Sequence, residues 1–272
     1  MSTTPVAARG IARKFAATVV LVWLLVALGA SIWPPAAKVS LPGILAPPAS
    51  EASLGRDDLG RPVLARLAAG ARISLLVALV VVLVTSVLGT LIGLAAAWFG
   101  GMVDTLLVGV TDIFLAFPGI LLAIALAGVL GPGIANVMTA LCVVGWVGFA
   151  RLARAQTLSI KHRDHVQVAR ALGVRPVWIV WRHVLPLIAG PLIVEASFTF
   201  AAVIVAEAGL SFLGLGVQPP TPSWGSMIRD GSRYLLVAPH LVVVPGLALA
   251  SLVVAINLLG DQLRDRWQPR RP

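Results

Sequence analysis

The sequence predicts an all-α protein that crosses a membrane several times, and three observations carry that expectation. Of the 272 residues, 58% are apolar before 26 glycines are counted, and only 12% are charged, against roughly 25% in ordinary globular domains. The charges stand in islands: no Asp, Glu, Lys or Arg occurs at 15–37, 73–103, 113–150, 183–194, 196–206, 208–228 or 234–260, and a helix needs only about 20 apolar residues to cross a ~30 Å hydrocarbon core. These runs are apolar on every face, whereas the strands of a membrane β-barrel alternate in polarity over ~10 residues. The same composition excludes a soluble enzyme domain and a disordered chain. One cysteine, Cys142, offers neither a disulfide framework nor a thiolate metal site, and its place in an apolar run reads as core packing.

Six crossings are expected. The first covers 15–33; its basic flank of Arg9, Arg13 and Lys14 resembles a secretion signal, but its apolar stretch is longer than the usual h-region of about 7–15 residues, so an uncleaved anchor is expected. The second covers 73–98. The charge-free block 113–150 is too long for one crossing, and Gly131-Pro132-Gly133 divides it, because proline lacks the amide donor and glycine favours a turn. The third and fourth crossings are therefore placed at 105–129 and 134–150, the fifth at 187–208 and the sixth at 238–260. No inverted internal repeat of the kind found in many secondary transporters is visible.

Six crossings put both termini on one side, and the distribution of Lys and Arg selects that side. The tails 1–14 and 261–272 and the loop 151–186 together hold 14 basic residues, and the loops 34–72 and 209–237 hold 7. Both ends are expected to be cytoplasmic, with 34–72 and 209–237 outside. The net charge of +10 thus reads as membrane orientation together with a basic loop, not as a nucleic-acid surface.

The loop 151–186 is long enough to dock another protein. Asp164 is placed to cap a short helix through Arg170-Ala171-Leu172, Gly173 to end it in the left-handed conformation, and Pro176 to start a second helix lying parallel to the membrane. Ala169, Ala171 and Gly173 are small enough to let a partner approach the backbone, and Trp178 and Trp181 suit the headgroup level. The run Ala169-Arg170-Ala171-Leu172-Gly173, followed by His183-Val184-Leu185-Pro186, resembles the cytoplasmic "EAA" coupling loop of ABC importer permeases. In that family the loop docks into a groove of the ATP-hydrolysing subunit. The motif's usual Glu falls at Gln167 and its first Ala at Val168; Gln keeps a hydrogen bond but not an ion pair.

Further segments are similar to the C-type permease subunit of dipeptide/oligopeptide/nickel importers. They are Leu54 to Arg61, Gly70 to Leu76, Asp112 with Leu115-Ala116-Phe117-Pro118, Glu207 to Pro220, Pro222-Ser223-Trp224-Gly225 and Asn257 to Asp261, so the resemblance covers about 53–265. It implies a type I ABC importer permease (MetI-like) architecture in a bacterial inner membrane. It also implies a B-type permease partner, one or two ABC ATPase subunits that bind ATP and Mg, and an extracytoplasmic substrate-binding protein. This chain itself would bind no cofactor, and membrane lipid would surround it. Di- and oligopeptides are the family's commonest cargo, with nickel, opines or haem as alternatives; the apolar spans hold no His or Met cluster suited to a metal. A self-sufficient secondary transporter or channel is the rival of another class.

Three acids fall within the expected spans, where a charge costs about 2.5–3.5 kcal/mol even by the lower estimates. Glu195 lines the passage, meets a polar group on a partner permease, or packs two helices as a protonated or hydrogen-bonded acid. Asp112 and Glu207 fit the family motifs and are read as structural hydrogen-bonding groups around the passage ahead of direct substrate contacts. His162 and His165, with Asp164 between them, have a metal-like spacing, but Lys161 and Arg163 beside them favour a solvated basic loop. In the outer loop, Gln218, Pro219, Pro220 and Trp224 are candidates for an outer gate or a binding-protein contact, with Tyr234 as a second interface anchor; the alternative is a self-packed re-entrant segment that closes the pathway from outside, and the two are compatible. No phosphate-binding loop, nucleophile elbow or HExxH occurs, so the energy for any transport has to come from another chain.

Overall fold

A computed structural model describes residues 6–31, 39–49 and 52–267. The ends of the tails and residues 32–33 of the expected first span lie outside them. Helix α1 (Val6–Leu28) runs into a 3-10 turn, Gly29–Ser31. There follow α2 (Val63–Phe99), α3 (Gly101–Leu115), α4 (Gly119–Leu130) and α5 (Ile134–Ile160). Two short helices, α6 (Asp164–Ala171) and α7 (Pro176–Ile179), lead through a π-helical stretch, Val180–Val184, into α8 (Leu185–Phe212); α9 (Trp224–Ser232) and α10 (His240–Trp267) complete the chain. Among the described residues there is no strand, only two isolated bridges. Five helices are long and apolar enough to cross a membrane, and the bent pair α3 and α4 makes a sixth if counted as one span.

The third span departs from expectation. The sequence predicts one helix over 105–129; the structure has two, bent by 83° at residues 116–118. Pro118 has no amide hydrogen for the preceding turn and disfavours the helical conformation at Phe117, so α3 stops and α4 starts afresh. The second helix also begins ten residues earlier than the expected 73, at Val63. Reading charges as helix limits misplaced this boundary, because Arg66 is buried and ion-paired to Asp57. For the same reason α5 continues past 150 through Arg151 and Arg154, the latter paired with Asp104 (Nε to Oδ1 2.5 Å, Nη2 to Oδ2 2.7 Å).

Helix α2 is the centre of the bundle, a rod of 37 residues, about 55 Å long at ~1.5 Å per residue. It packs on α1, α3, α5, α8 and α9, most extensively on α5. Gly89 and Gly93 make that closeness possible, since a β-carbon on Gly89 would overlap the carbonyl of Trp146 and one on Gly93 the carbonyl of Ala150. Opposite them α5 buries Phe149, Ala150 and Ala153 completely. The main core joins Val77 and Val81 of α2, Ala140 of α5, Ile204 of α8, Trp224 of α9 and Leu252 of α10. Leu76, Leu79, Leu83, Val87 and Leu91 lie on the exposed side of α2; a helix with apolar residues on both its packed and its open faces belongs in lipid, not water. Helix α1 is tied to the bundle by Trp23, whose Nε1 donates to Ser251 Oγ of α10 (3.0 Å) and whose ring meets Trp224 edge-on at 5.0 Å.

Candidate functional site

The two ends of the bundle are built differently. At one end, α6 and α7 sit on a small core of their own, in which Val166, Ala169, Ile179, Val184 and Ile188 pack against Leu94 of α2 and Ala153 and Ile160 of α5. The turn between the two helices is tight: Val174 N donates to Ala169 O (3.1 Å) and Gly173 N to Arg170 O (3.0 Å), with Gly173 at φ +75°. This pair of bonds is the Schellman closure that glycine's freedom at positive φ permits. Pro176 opens α7 as expected. Asp164 differs from expectation, since it is the first residue of α6 and not its cap; Arg163 holds the cap position with no side-chain hydrogen bond.

The same packing decides which loop residues face outward. Ala169, expected to admit a partner, is buried beneath the helix beside Val166, while Gln167, Val168, Ala171, Leu172 and Gly173 are exposed. Their exposed apolar surface is led by Leu172 (76% exposed) and Val168 (56%). The loop grips the end of α2 by two cations: Lys161 Nζ donates to Ala97 O (2.8 Å), and the Arg170 guanidinium lies 4.4 Å from the centroid of the Trp98 ring. A cation over an indole is attracted by the ring's negative face. His183 is half-buried in the π-helical stretch, its ring 6.2 Å from that of His165. The fold thus brings His165 to His183 across 18 residues. Pro186 is exposed in the first turn of α8.

At the other end, Asp57 is the hub of a buried charge cluster. Its Oδ1 accepts from the amides of Leu59 (3.0 Å) and Arg61 (2.8 Å), and its Oδ2 accepts from Arg61 Nε (2.6 Å) and from Arg66 Nη1. Arg66 reaches on to Asp230 of α9 (3.5 Å), which also receives Arg229 (3.2 Å). The sequence contains these residues but not their pairing, because Asp57 and Asp230 come together only when α9 folds back over the start of α2.

Trp224 is a correction. Proposed from the sequence as a gate or partner contact, it is fully buried, donating Nε1 to Leu67 O (3.0 Å) and packing on Trp23. The small residues at the contact points bury it: Gly70 lies against its ring, and Gly225 lets α9 touch the backbone of α8 at Ala208. Gln218, Pro219 and Pro220 are exposed; the bond between the two prolines is cis, and Gln218 Nε2 donates to Gly214 O and Gly216 O (3.0 and 2.9 Å). Tyr234 is half-buried, and beyond it Leu236 is 99% exposed.

The three membrane acids separate. Glu207 is 1% exposed and receives two hydroxyls, Ser74 Oγ at 2.8 Å and Ser211 Oγ at 2.7 Å, which tie α8 to α2. Asp112 corrects the expectation of a structural hydrogen bond: it is exposed on α3 and receives none among the described residues, since α3 buries only Leu107 and Thr111. Glu195 is half-buried, with no hydrogen bond or ion pair among the described residues, and its Oε1 lies 3.3 Å from the position of a β-carbon on Gly148 of α5. A cleft of about 710 Å³ lies between α4, α5, α8 and α10, lined by Ala123, Val144, Gly145, Thr199, Ala202 and Asn257; Glu195 comes one helical turn before Thr199 and is not part of the lining. Nothing in the sequence marks this cleft, because its walls come from four separate helices.

Comparison with known proteins agrees with this arrangement. The family described as "Binding-protein-dependent transport system inner membrane component" matches residues 89–271. The chain is 41% identical over 223 residues to the glutathione transport system permease protein GsiD of Pectobacterium atrosepticum, covering 82% of this chain and 74% of that one. It is 39% identical over 223 residues to the dipeptide transport system permease protein DppC of Alkalihalophilus pseudofirmus, covering 82% and 73%. Among solved structures, an inward-facing conformation of the MetNI methionine ABC transporter shares the fold, with a TM-score of 0.60 at 20% identity over 75% of this chain and 97% of that one.

Proposed function

The chain belongs to the binding-protein-dependent transport system inner membrane components, the permease subunits of ABC importers, and from that premise we propose that it helps import di- or oligopeptides. In this reading it forms the passage with a second, B-type permease, receives cargo from an extracytoplasmic binding protein, and is driven by one or two ATPase subunits that carry ATP and Mg. Both termini and the loop 151–186 face the cytoplasm. The observation that carries the reading is the seating of α6, whose inner face is fixed to the ends of α2 and α5 while Gln167, Val168 and Leu172 stand free. A helix held from behind and apolar in front transmits a push or pull without folding away from it. ATP-driven closure of the ATPases moves α6 and α7, the Lys161 and Arg170 contacts pass that movement to α2, and the helices around the passage reorient. The peptide assignment draws on the relatives named for glutathione and dipeptide transport and on cleft walls that carry no charged side chain and so impose no selection by charge.

Uptake of labelled di- and oligopeptides into vesicles containing the purified complex tests this directly. Uptake should require the co-purified ATPase and stop with vanadate. Leu172→Glu, which places a charge in the docking face, should weaken ATPase association about tenfold or more. Peptide uptake by vesicles containing this chain without an ATPase would sink the proposal.

A further inference from the structure

A second cleft, of about 500 Å³, lies on the lipid-facing side between the latter half of α2 and the start of α8. Its walls include Leu91 and Leu94 of α2 and Ala189 and Leu192 of α8, together with Trp98 and Trp181. Of the hydroxyls on the walls, Ser86 Oγ is turned to its own helix, donating to Leu83 O (3.2 Å); the remaining lining is mostly aliphatic. The cleft therefore suits a hydrocarbon chain along its length.

The chain that flanks this lining has the opposite chemistry. Arg175 directly precedes Pro176 of the lining and Arg182 directly follows Trp181; both are exposed, and neither has an ion-pair partner among the described residues. They are seven residues apart along α7 and its π-helical continuation, about two helical turns. Arg170 adds a third cation over Trp98. The whole stretch 151–186 carries seven basic residues and a single acid, Asp164. Tryptophans favour the headgroup level, and basic pockets between membrane helices favour anionic headgroups. We propose that this cleft is a binding site for one anionic phospholipid, its acyl chain along the α2–α8 wall and its phosphate held by Arg175 and Arg182. Because α7 both lines the cleft and continues the coupling loop, the lipid would brace the segment that moves. The proposal rests on the membrane-spanning fold and does not depend on the identity of the cargo.

The test uses the purified complex of permeases and ATPase, incubated with vesicles of phosphatidylcholine mixed with phosphatidylglycerol and examined by native mass spectrometry for retained lipid. Each basic residue near an anionic headgroup layer raises binding about fivefold, so two arginines partly screened by salt should enrich phosphatidylglycerol about tenfold over phosphatidylcholine. Arg175→Gln with Arg182→Gln should bring the two lipids near parity, and Ala189→Trp, which fills the cleft, should displace both. If the tryptophan variant does not assemble, the arginine pair decides alone. Parity in the native complex overturns the proposal, as it would if a helix of the second permease filled the cleft; so does tenfold enrichment that survives loss of both arginines. Failure of the transport reading would show separately, as a permease that copurifies without an ATPase, and leaves the lipid measurement readable.

Discussion

Glu207 and Glu195 stand twelve residues apart on one helix, and their surroundings differ. The carboxylate of Glu207 is enclosed and takes a hydroxyl from each of α2 and α8. Removing the acceptor would leave two buried hydroxyls without it and open a void, so Glu207→Ala should cost about 3 kcal/mol, whereas Glu207→Gln, which keeps one carbonyl acceptor, should cost about 1 kcal/mol. Thermal unfolding of the purified complex would rank the two variants; equal stability of the alanine variant and the native protein would reject a structural role. Glu195 has no such partners among the described residues and lies against Gly148 of α5. Periodicity alone does not separate these two acids, since each is an isolated charge in an apolar run. What separates them is whether a neighbouring helix presents a hydroxyl or a glycine at the point of contact, as Ser74 does for Glu207 and Gly148 for Glu195.

The contact between α2 and α5 follows the same logic at the level of helices. Gly89 and Gly93, four residues apart, bring the two backbones together in the manner of small-residue motifs in membrane helices, where close packing takes the place of the hydrophobic effect between spans. Gly93→Val would drive a branched side chain into the Ala150 carbonyl, a cost of about 3 kcal/mol or more. Limited proteolysis should then cut the 161–176 region faster, because the core beneath α6 shares Leu94 and Ala153 with this contact; unchanged cleavage would show that the helices repack without loss. The Gly-x-x-x-Gly spacing is present in the sequence, but only the fold shows which helix it faces. The break between α3 and α4 is the reverse case: Pro118 was in view, yet the apolar count ran through it, because length and hydropathy measure the capacity to cross a membrane and not the continuity of a helix.

Across the molecule, α2 joins the two ends, gripped by Lys161 and Arg170 at one and, at the other, by Asp57 through Arg66 and by the Trp224 indole. Asp57→Ala would leave Arg61 and Arg66 buried beside a missing charge, at a cost of about 3–5 kcal/mol. Hydrogen exchange should quicken across residues 52–66 and in α9 while α6 keeps its protection; loss of protection only at α6 would contradict this arrangement. By itself the sequence determined that the chain is helical, that it spans a membrane, and that basic residues gather in the loop 151–186. Those properties follow from the number and order of apolar and charged residues, which fix where each segment is most stable whatever its neighbours do. The tertiary structure alone decided that Arg66 lies inside a helix and not at its boundary, that Ala169 faces inward and Leu172 outward, and that Trp224 belongs to the core. Each of these depends on a partner distant in sequence, Asp57 and Asp230 for Arg66, the ends of α2 and α5 for α6, and Trp23 and Leu67 for Trp224; the cost of burying a charge or an indole nitrogen depends on whether that partner arrives.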